Sequence, residues 1–295
     1  MTPADNITRS KRRNRPKSIA SGYLLILPAL LLVVLIIVYP AALSVIQTLT
    51  TKLDGSTTGF TLEQYTAFFN DPFSVTNLLY TLRVTFMVVG LLFLICFPIA
   101  LYLRFSHGRL ASFIHILALF PLFVPGIVLA FAMIRFTITH GLLATLLSKF
   151  GIDQYTSPYL TTTGSIIGLV WEGIPFTTLI LSAAMVQIDD SLLESASDVG
   201  ANIWQVFWHI MLPLIKNAVV IIFALEFLGV IGSYTIPYLL GPAEPEMMGV
   251  FMERTYSQVH SPLQAQTQAV ITFVIAAIAG YLYVRTVASQ QKGEE

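Results

Sequence analysis

The chain has 295 residues, 55% of them hydrophobic and only 11% charged, and its basic and acidic side chains balance to a formal net charge of zero. A soluble domain carries about a quarter charged residues, so this is an integral membrane protein, and without net positive charge nucleic acid is not a natural partner. The single cysteine, Cys96, lies in an apolar run, which excludes an intramolecular disulfide and a cysteine metal site.

Residues 1–21 form a basic tail with Arg9, Lys11, Arg12, Arg13, Arg15 and Lys17. The apolar run from about 22 to 43 is too long for a signal-peptide core and is expected to be an uncleaved first span, with Pro28 and Pro40 as points where it bends or ends. From Gln47 to Asn77 the chain is polar. There Thr61 and Gln64 are spaced as a capping box before Tyr65, Phe68 and Phe69, which predicts a short amphipathic helix on the outer surface. A second span is expected over about 78–103 and a third over about 110–136, joined by the short Arg104–Arg109 loop. Pro121, Pro125 and Gly126 predict an interruption of the third at depth. A longer loop over 137–163 holds a short helix at Gly141–Phe150. The remaining spans are expected at about 164–186, 213–234 and 265–287. They enclose a polar loop, 187–212, and a loop rich in proline, glycine and acid from Ile236 to Pro262, and a short tail, 288–295, follows them. The fold class is therefore all-α integral membrane with six transmembrane helices.

Six spans alternate sides, so both termini, the Arg104–Arg109 loop and the 187–212 loop share one. That side carries eleven basic residues: Arg9, Lys11, Arg12, Arg13, Arg15, Lys17, Arg104, Arg109, Lys216, Arg285 and Lys292. The other carries five: Lys52, Arg83, Arg135, Lys149 and Arg254. The positive-inside rule puts the first side in the cytoplasm.

The 187–212 loop has helical grammar. Ser191 and Glu194 are spaced as a capping box, and Leu192, Ala196 and Val199 recur on one face that Leu193 widens. Gly200 is expected to stop this helix, and Asn202 to cap a second with the apolar face Ile203, Val206, Phe207 and Ile210. Leu212-Pro213 then opens the fifth span, with proline in a first turn. Asp190, Glu194 and Asp198 line one side of the first helix, although like charges four apart destabilise a helix by about 0.2–0.5 kcal/mol a pair. An acidic side, an apolar side and a glycine hinge fit docking onto a basic-rimmed groove of another protein; alternatively, Glu194 only caps and the stripe is solvated.

Glu194-Ser195-Ala196, three residues, Gly200, nine residues, Ile210, one residue and Leu212-Pro213 resembles the EAA loop of binding-protein-dependent ABC importer permeases. The one departure is Ser195 where that family usually has alanine, a small-for-small change. The resemblance implies the MetI-like type I importer permease fold, with the helix from about Ser191 to Gly200 as a cytoplasmic coupling helix seated in a cleft of the ATPase subunit. It assigns ATPase coupling to Glu194, Ser195, Ala196, Gly200, Ile210, Leu212 and Pro213, with Asp190 and Asp198 on the same stripe. It further implies two ATPase subunits, a second permease subunit (often a different chain), a periplasmic solute-binding protein, and a bacterial inner-membrane location with both termini cytoplasmic. No cofactor is expected on this chain; ATP and Mg belong to the ATPase subunit. The basic tail, long first span and the Phe60–Tyr65 segment (FTLEQY) are similar to the spermidine/putrescine-type branch, which implies a polyamine or related small amine as cargo.

No G-x-x-x-x-G-K-[ST] loop is present, so the chain has no Walker-type phosphate cradle. His107, His115, His140, His209 and His260 show no paired-ligand spacing. Two carboxylates do fall inside spans: Glu172, within WEGIPF, and Glu226. A charge at mid-bilayer costs ~2.5–3.5 kcal/mol, so each needs a partner, a proton or a water-lined cavity. Arg83 and Arg135, at the outer ends of their spans, are placed to pair with Glu172. Otherwise Glu172, Glu226, Gly229 and Tyr234 line a translocation path suited to a cationic solute, with Pro175 and Gly232 easing local unwinding. An ion-coupled secondary transporter using Glu172 or Glu226 is the other reading of these acids.

Overall fold

The computed structural model describes residues Ile19–Gly293 apart from His107 and Asp153, with side chains described over 26–288; Arg9 to Lys17 of the basic tail lie outside the described residues. Among the described residues every regular element is helical, and a lone bridge joins Thr51 to Thr57.

The first span is longer than its apolar run. Helix α1 (Ile19–Val33) passes through a π-helical turn (Val34–Val38) into α2 (Tyr39–Thr50). Pro28 and Pro40 do not end it. Pro40 falls in the first turn of α2, and the wider π turn before it, where the Tyr39 N–H reaches back to the Val34 carbonyl, absorbs the hydrogen bond that proline cannot donate. The polar end stays helical, and its hydroxyls are satisfied by bonding back to the preceding turn, Thr48 to Val45 O at 3.0 Å and Thr50 to Ile46 O at 2.8 Å.

Helix α3 (Glu63–Asn70) forms without the expected capping box. Thr61 Oγ accepts from the Glu63 N–H, while the buried Gln64 side chain donates to the Thr51 carbonyl instead. Helix α4 (Pro72–Phe105) starts before its expected boundary at 78, because Asp71 accepts from the N–H groups of Phe73 and Ser74 and Pro72 occupies the first turn. The third span is interrupted as expected: α5 (Arg109–Leu119) and a 3-10 turn (Phe120–Phe123) stop at Val124–Pro125, and α6 (Gly126–Thr137) resumes before α7 (Leu142–Lys149). Helix α8 (Thr162–Val186) is capped by Thr161. The polar segment that follows holds α9 (Asp190–Asp198), α10 (Ile203–Val206), a π turn (Phe207–Met211) and α11 (Leu212–Leu214). The fifth membrane helix, α12 (Lys216–Ile231), meets the arm Ile203–Leu214 at a bend of 73°. With that bent pair counted as one span, six helical segments among the described residues are long and apolar enough to cross a membrane.

Residues 236–262 are not the loop their proline, glycine and acid content predicts. They fold into α13 (Thr235–Leu240) and α14 (Met248–Ser257), which sink against the bundle before α15 (Pro262–Gly293). The cause lies on α4, where Asn77 Oδ1 accepts from the Glu246 N–H at 3.0 Å and Thr81 Oγ1 from the Met248 N–H at 2.8 Å. These buried side chains satisfy a backbone that the sequence leaves without visible partners.

The core is built on α4 and α8. Tyr80, Val84, Val88, Leu92, Cys96 and Ala100 recur every fourth residue along α4, and all are buried against Leu169, Leu181 and Met185 of α8. Small residues let these helices approach closely: a Cβ added to Gly173 would lie 2.6 Å from Leu92 Cδ1. The same core continues into Leu193 and Ala196 of α9 and into Val206, Phe207 and Met211. The polar segment is thus packed onto the bundle.

Candidate functional site

Helix α9 is framed by caps at both ends. Asp189, not a Ser191–Glu194 box, opens it: the Asp189 carboxylate accepts from the Ser191 N–H at 3.0 Å, a bond that also holds this carboxyl below the ordinary range. At the far end the Gly200 N–H donates to Ser197 O at 2.9 Å and the Ala201 N–H to Ala196 O at 3.0 Å, the paired bonds of a Schellman turn. Gly200 has φ +81° and open space around the position of a Cβ, so the backbone alone asks for glycine. Asn202 and Gln205 then form a reciprocal capping box for α10. Leu212-Pro213 does not open the fifth span; it closes the arm that begins at Ile203, and α12 starts after the break at Ile215. The π turn at Phe207–Met211 lets the arm run up to Pro213 without the hydrogen bond proline cannot make.

The expected apolar face of α9 is divided. Leu193 and Ala196 are buried in the core, whereas Leu192 and Val199 are exposed, Val199 at 84%. With Ser195, Gln205, His209 and Ile210 they line an open groove of about 630 Å³. The acidic stripe is divided as well. Glu194 and Asp198 are exposed and form no ion pair among the described residues, but Asp190 is paired with Arg104 of α4. Arg104 also donates from Nε to Met185 O and from Nη2 to Ile188 O, each at 3.0 Å. Nothing local in the sequence announces this clamp, because its partners lie more than eighty residues away.

Within the membrane, Glu172 and Glu226 line one cavity of about 330 Å³ between α8 and α12, together with Gly173, Phe176, Gly229 and Ser233. Glu226 is buried and accepts a hydrogen bond from Thr177 Oγ1 at 2.8 Å, a partner that sequence spacing does not reveal. Gly173 leaves room for it, since a Cβ there would lie 3.0 Å from Glu226 Oε2. Glu172 is exposed and reaches the start of α6, where a Cβ on Gly126 would lie 3.3 Å from its Oε1. The interrupted third span thus presents the beginning of a helix to this carboxylate, the end that favours negative charge. Arg83 and Arg135 are both exposed, and neither pairs with Glu172. Tyr234 does not line the cavity; it stacks on Tyr238 with ring centroids 5.2 Å apart.

Residues 94–289, which include α9, the capped turn at Gly200 and both carboxylates, match the family described as binding-protein-dependent transport system inner membrane component. The chain belongs to this family. It is the permease subunit of an ABC importer, a multi-pass inner-membrane protein and not an enzyme, and the family it belongs to carries the EAA motif. The spermidine/putrescine transport system permease protein PotB of Haemophilus influenzae is 30% identical over 64% of this chain and 66% of its own. The sulfoquinovosyl glycerol transport system permease protein SmoG of Agrobacterium fabrum is 28% identical over 75% of this chain and 74% of its own. In fold, the permease is similar to a chain of a bacterial alginate ABC transporter solved with its alginate pentasaccharide-bound periplasmic protein, with a TM-score of 0.72, 18% identity and 90% and 92% of the two chains covered.

Proposed function

We propose that this permease imports a small amine of the polyamine class, handed over by a periplasmic solute-binding protein and driven by two separate ATPase subunits that hold the ATP and Mg. The observation that carries the reading is the half-embedded α9. Leu193 and Ala196 anchor it in the core, Leu192 and Val199 stand exposed along a groove, and Glu194 and Asp198 are exposed beside them on the same helix. A capped helix with one face buried and an acidic, apolar face left open suits insertion into a partner's cleft, and Glu194, Ser195, Ala196, Gly200 and Ile210 are its contact and turn residues. Asp198 adds charge to that face. Leu212 and Pro213 end the arm behind it. The excess of basic residues on the side of α9 supports a cytoplasmic face and cytoplasmic termini. The apolar rod Ile26–Val38, exposed along its length, offers a face for the second permease subunit and for lipid.

The cargo class rests on the cavity shared by Glu172 and Glu226, to which no described cation is paired. Two carboxylates suit an amine better than a neutral or anionic sugar, which separates the polyamine relative from the sulfoquinovosyl glycerol one as a guide.

Glu194→Arg is expected to abolish co-purification of the ATPase while the permease remains folded; retained ATPase with normal uptake counts against docking through α9. Glu226→Gln keeps an acceptor for Thr177 and removes the charge. It is expected to slow amine uptake about tenfold, the loss of one charge-assisted contact, with the ATPase still assembled. Uptake that survives ATP depletion and stops when the ion gradient collapses would instead identify an ion-coupled secondary transporter.

A further inference from the structure

We propose that Arg104 is a positioning residue for coupling: it ties α9 to the membrane core, so that a force received at α9 reaches the helix lining the carboxylate cavity. The inference rests on the reading of α9 as the ATPase-docking helix.

Arg104 stands in the last turn of α4, its side chain only 12% exposed. One guanidinium there holds three elements. Its Nε donates to the carbonyl of Met185, in the last turn of α8, and its Nη2 to the carbonyl of Ile188, in the link that follows. Nη2 also binds the carboxylate of Asp190, the first residue of α9. The ends of two membrane helices and the start of the docking helix therefore meet on one rigid, planar cation. Lysine, a point charge on a flexible stem, cannot reproduce that fork.

Two details point to transmission. Only Gln187–Asp189 separate α8 from α9, and within that link the Ile188 carbonyl is bound by Arg104, so α9 has little freedom to swing without moving α8. Helix α8 is also the element that carries Glu172 and Thr177, the second of which holds Glu226. A displacement of α9 is thus passed along α8 toward the cavity. The Asp190 carboxylate is 72% exposed, so this arm of the clamp can exchange with water, whereas the carbonyl arms are shielded. Asp190 accordingly belongs to the permease's own joint and leaves Glu194 and Asp198 as the acids free for the ATPase.

The test uses the assembled importer in proteoliposomes with its loaded binding protein, measuring ATPase co-purification, ATP hydrolysis and uptake on each preparation. With Arg104→Gln the ATPase is expected to remain bound while uptake per ATP hydrolysed falls about tenfold. Arg104→Lys recovers part of that ratio. Asp190→Asn, which spares the carbonyl bonds, lowers it about twofold to fivefold. A purely structural Arg104 would reduce yield or melting temperature and leave the ratio unchanged in the assembled complex; that result overturns the proposal. Should Arg104→Gln fail to assemble, Asp190→Asn and Arg104→Lys decide by the same ratio, and normal coupling in both overturns it. A normal ratio in Arg104→Gln alongside lost ATPase in Glu194→Arg refutes the clamp alone, whereas ATPase retained with normal uptake in Glu194→Arg removes the docking reading beneath it.

Discussion

Each end of the bundle is fastened by an arginine–carboxylate pair, and the two pairs are built in opposite ways. At the α9 end the arginine is the more covered partner, its side chain 12% exposed, and Asp190 is exposed. At the α14 end Glu246 is buried, its side chain 5% exposed, and Arg254 covers it from outside while lying over the rings of Phe73 at 5.2 Å and Phe251 at 5.8 Å. Burial pushes the Glu246 carboxyl above its ordinary range, and Arg254 pulls it part of the way back. A pair whose acid is open to water is a joint that can be remade. One whose acid is sealed beneath a stacked cation is a fixed closure, because losing the cation strands a buried charge.

The sharpest way to break that contrast is Arg254→Ala, expected to cost about 3 kcal/mol in unfolding experiments in detergent. The deficit should be largest at neutral pH. The folded-state pKa of Glu246 is raised, so its burial penalty grows as pH rises from the ordinary glutamate value toward the folded one. It should shrink again as acid protonates the carboxyl, and a pH-independent deficit would mean that the charge is not what Arg254 compensates. Next in size is Gly200→Val. The open space around Gly200 leaves only the left-handed backbone to pay for, about 1–2 kcal/mol. Because that cost falls on the turn closing α9, uptake should suffer more than melting temperature, and full coupling in this variant would separate the turn from transport. Asp71→Ala, at the cap of α4, is expected to cost about 1 kcal/mol. Here the sign reverses: bonds from Ser74 and Phe73 hold the Asp71 carboxyl below its ordinary range, so its contribution is complete at neutral pH and fades as pH falls through the lowered value. The gap between the parent and Asp71→Ala in melting experiments should therefore close in acid. Smallest is Asp190→Ala, less than about 1 kcal/mol for an exposed pair. A loss as large as that of Arg254→Ala would erase the distinction between joint and closure.

The same two regions mark how far the chain can be read without coordinates. Gly200 and Asn202 announce themselves as the stop of α9 and the cap of α10, because each acts on backbone groups within a few residues. The neighbouring Ser191–Glu194 box and the Leu212-Pro213 opening fail for the same kind of reason. Asp189 offers a competing cap two residues earlier, and a π turn carries the arm up to Pro213. The segment 236–262 fails differently. Its proline, glycine and acid are ordinary loop chemistry, and it is buried only because Asn77 and Thr81, far away on α4, supply the partners its backbone needs.

By itself the sequence determined a membrane protein of six apolar spans, a capped helix pair in the polar interruption at 187–212, and two carboxylates set where a charge needs a reason. Those follow from composition, period and spacing, which act over one or two helical turns. Only the tertiary structure decided that Asp190 answers to Arg104 while Glu194 stays free, that Glu172 and Glu226 share one cavity and Thr177 bonds to Glu226, and that Arg254 seals Glu246. Each of those pairs residues distant along the chain, and such contacts arise only when helices pack and bring their side chains within reach.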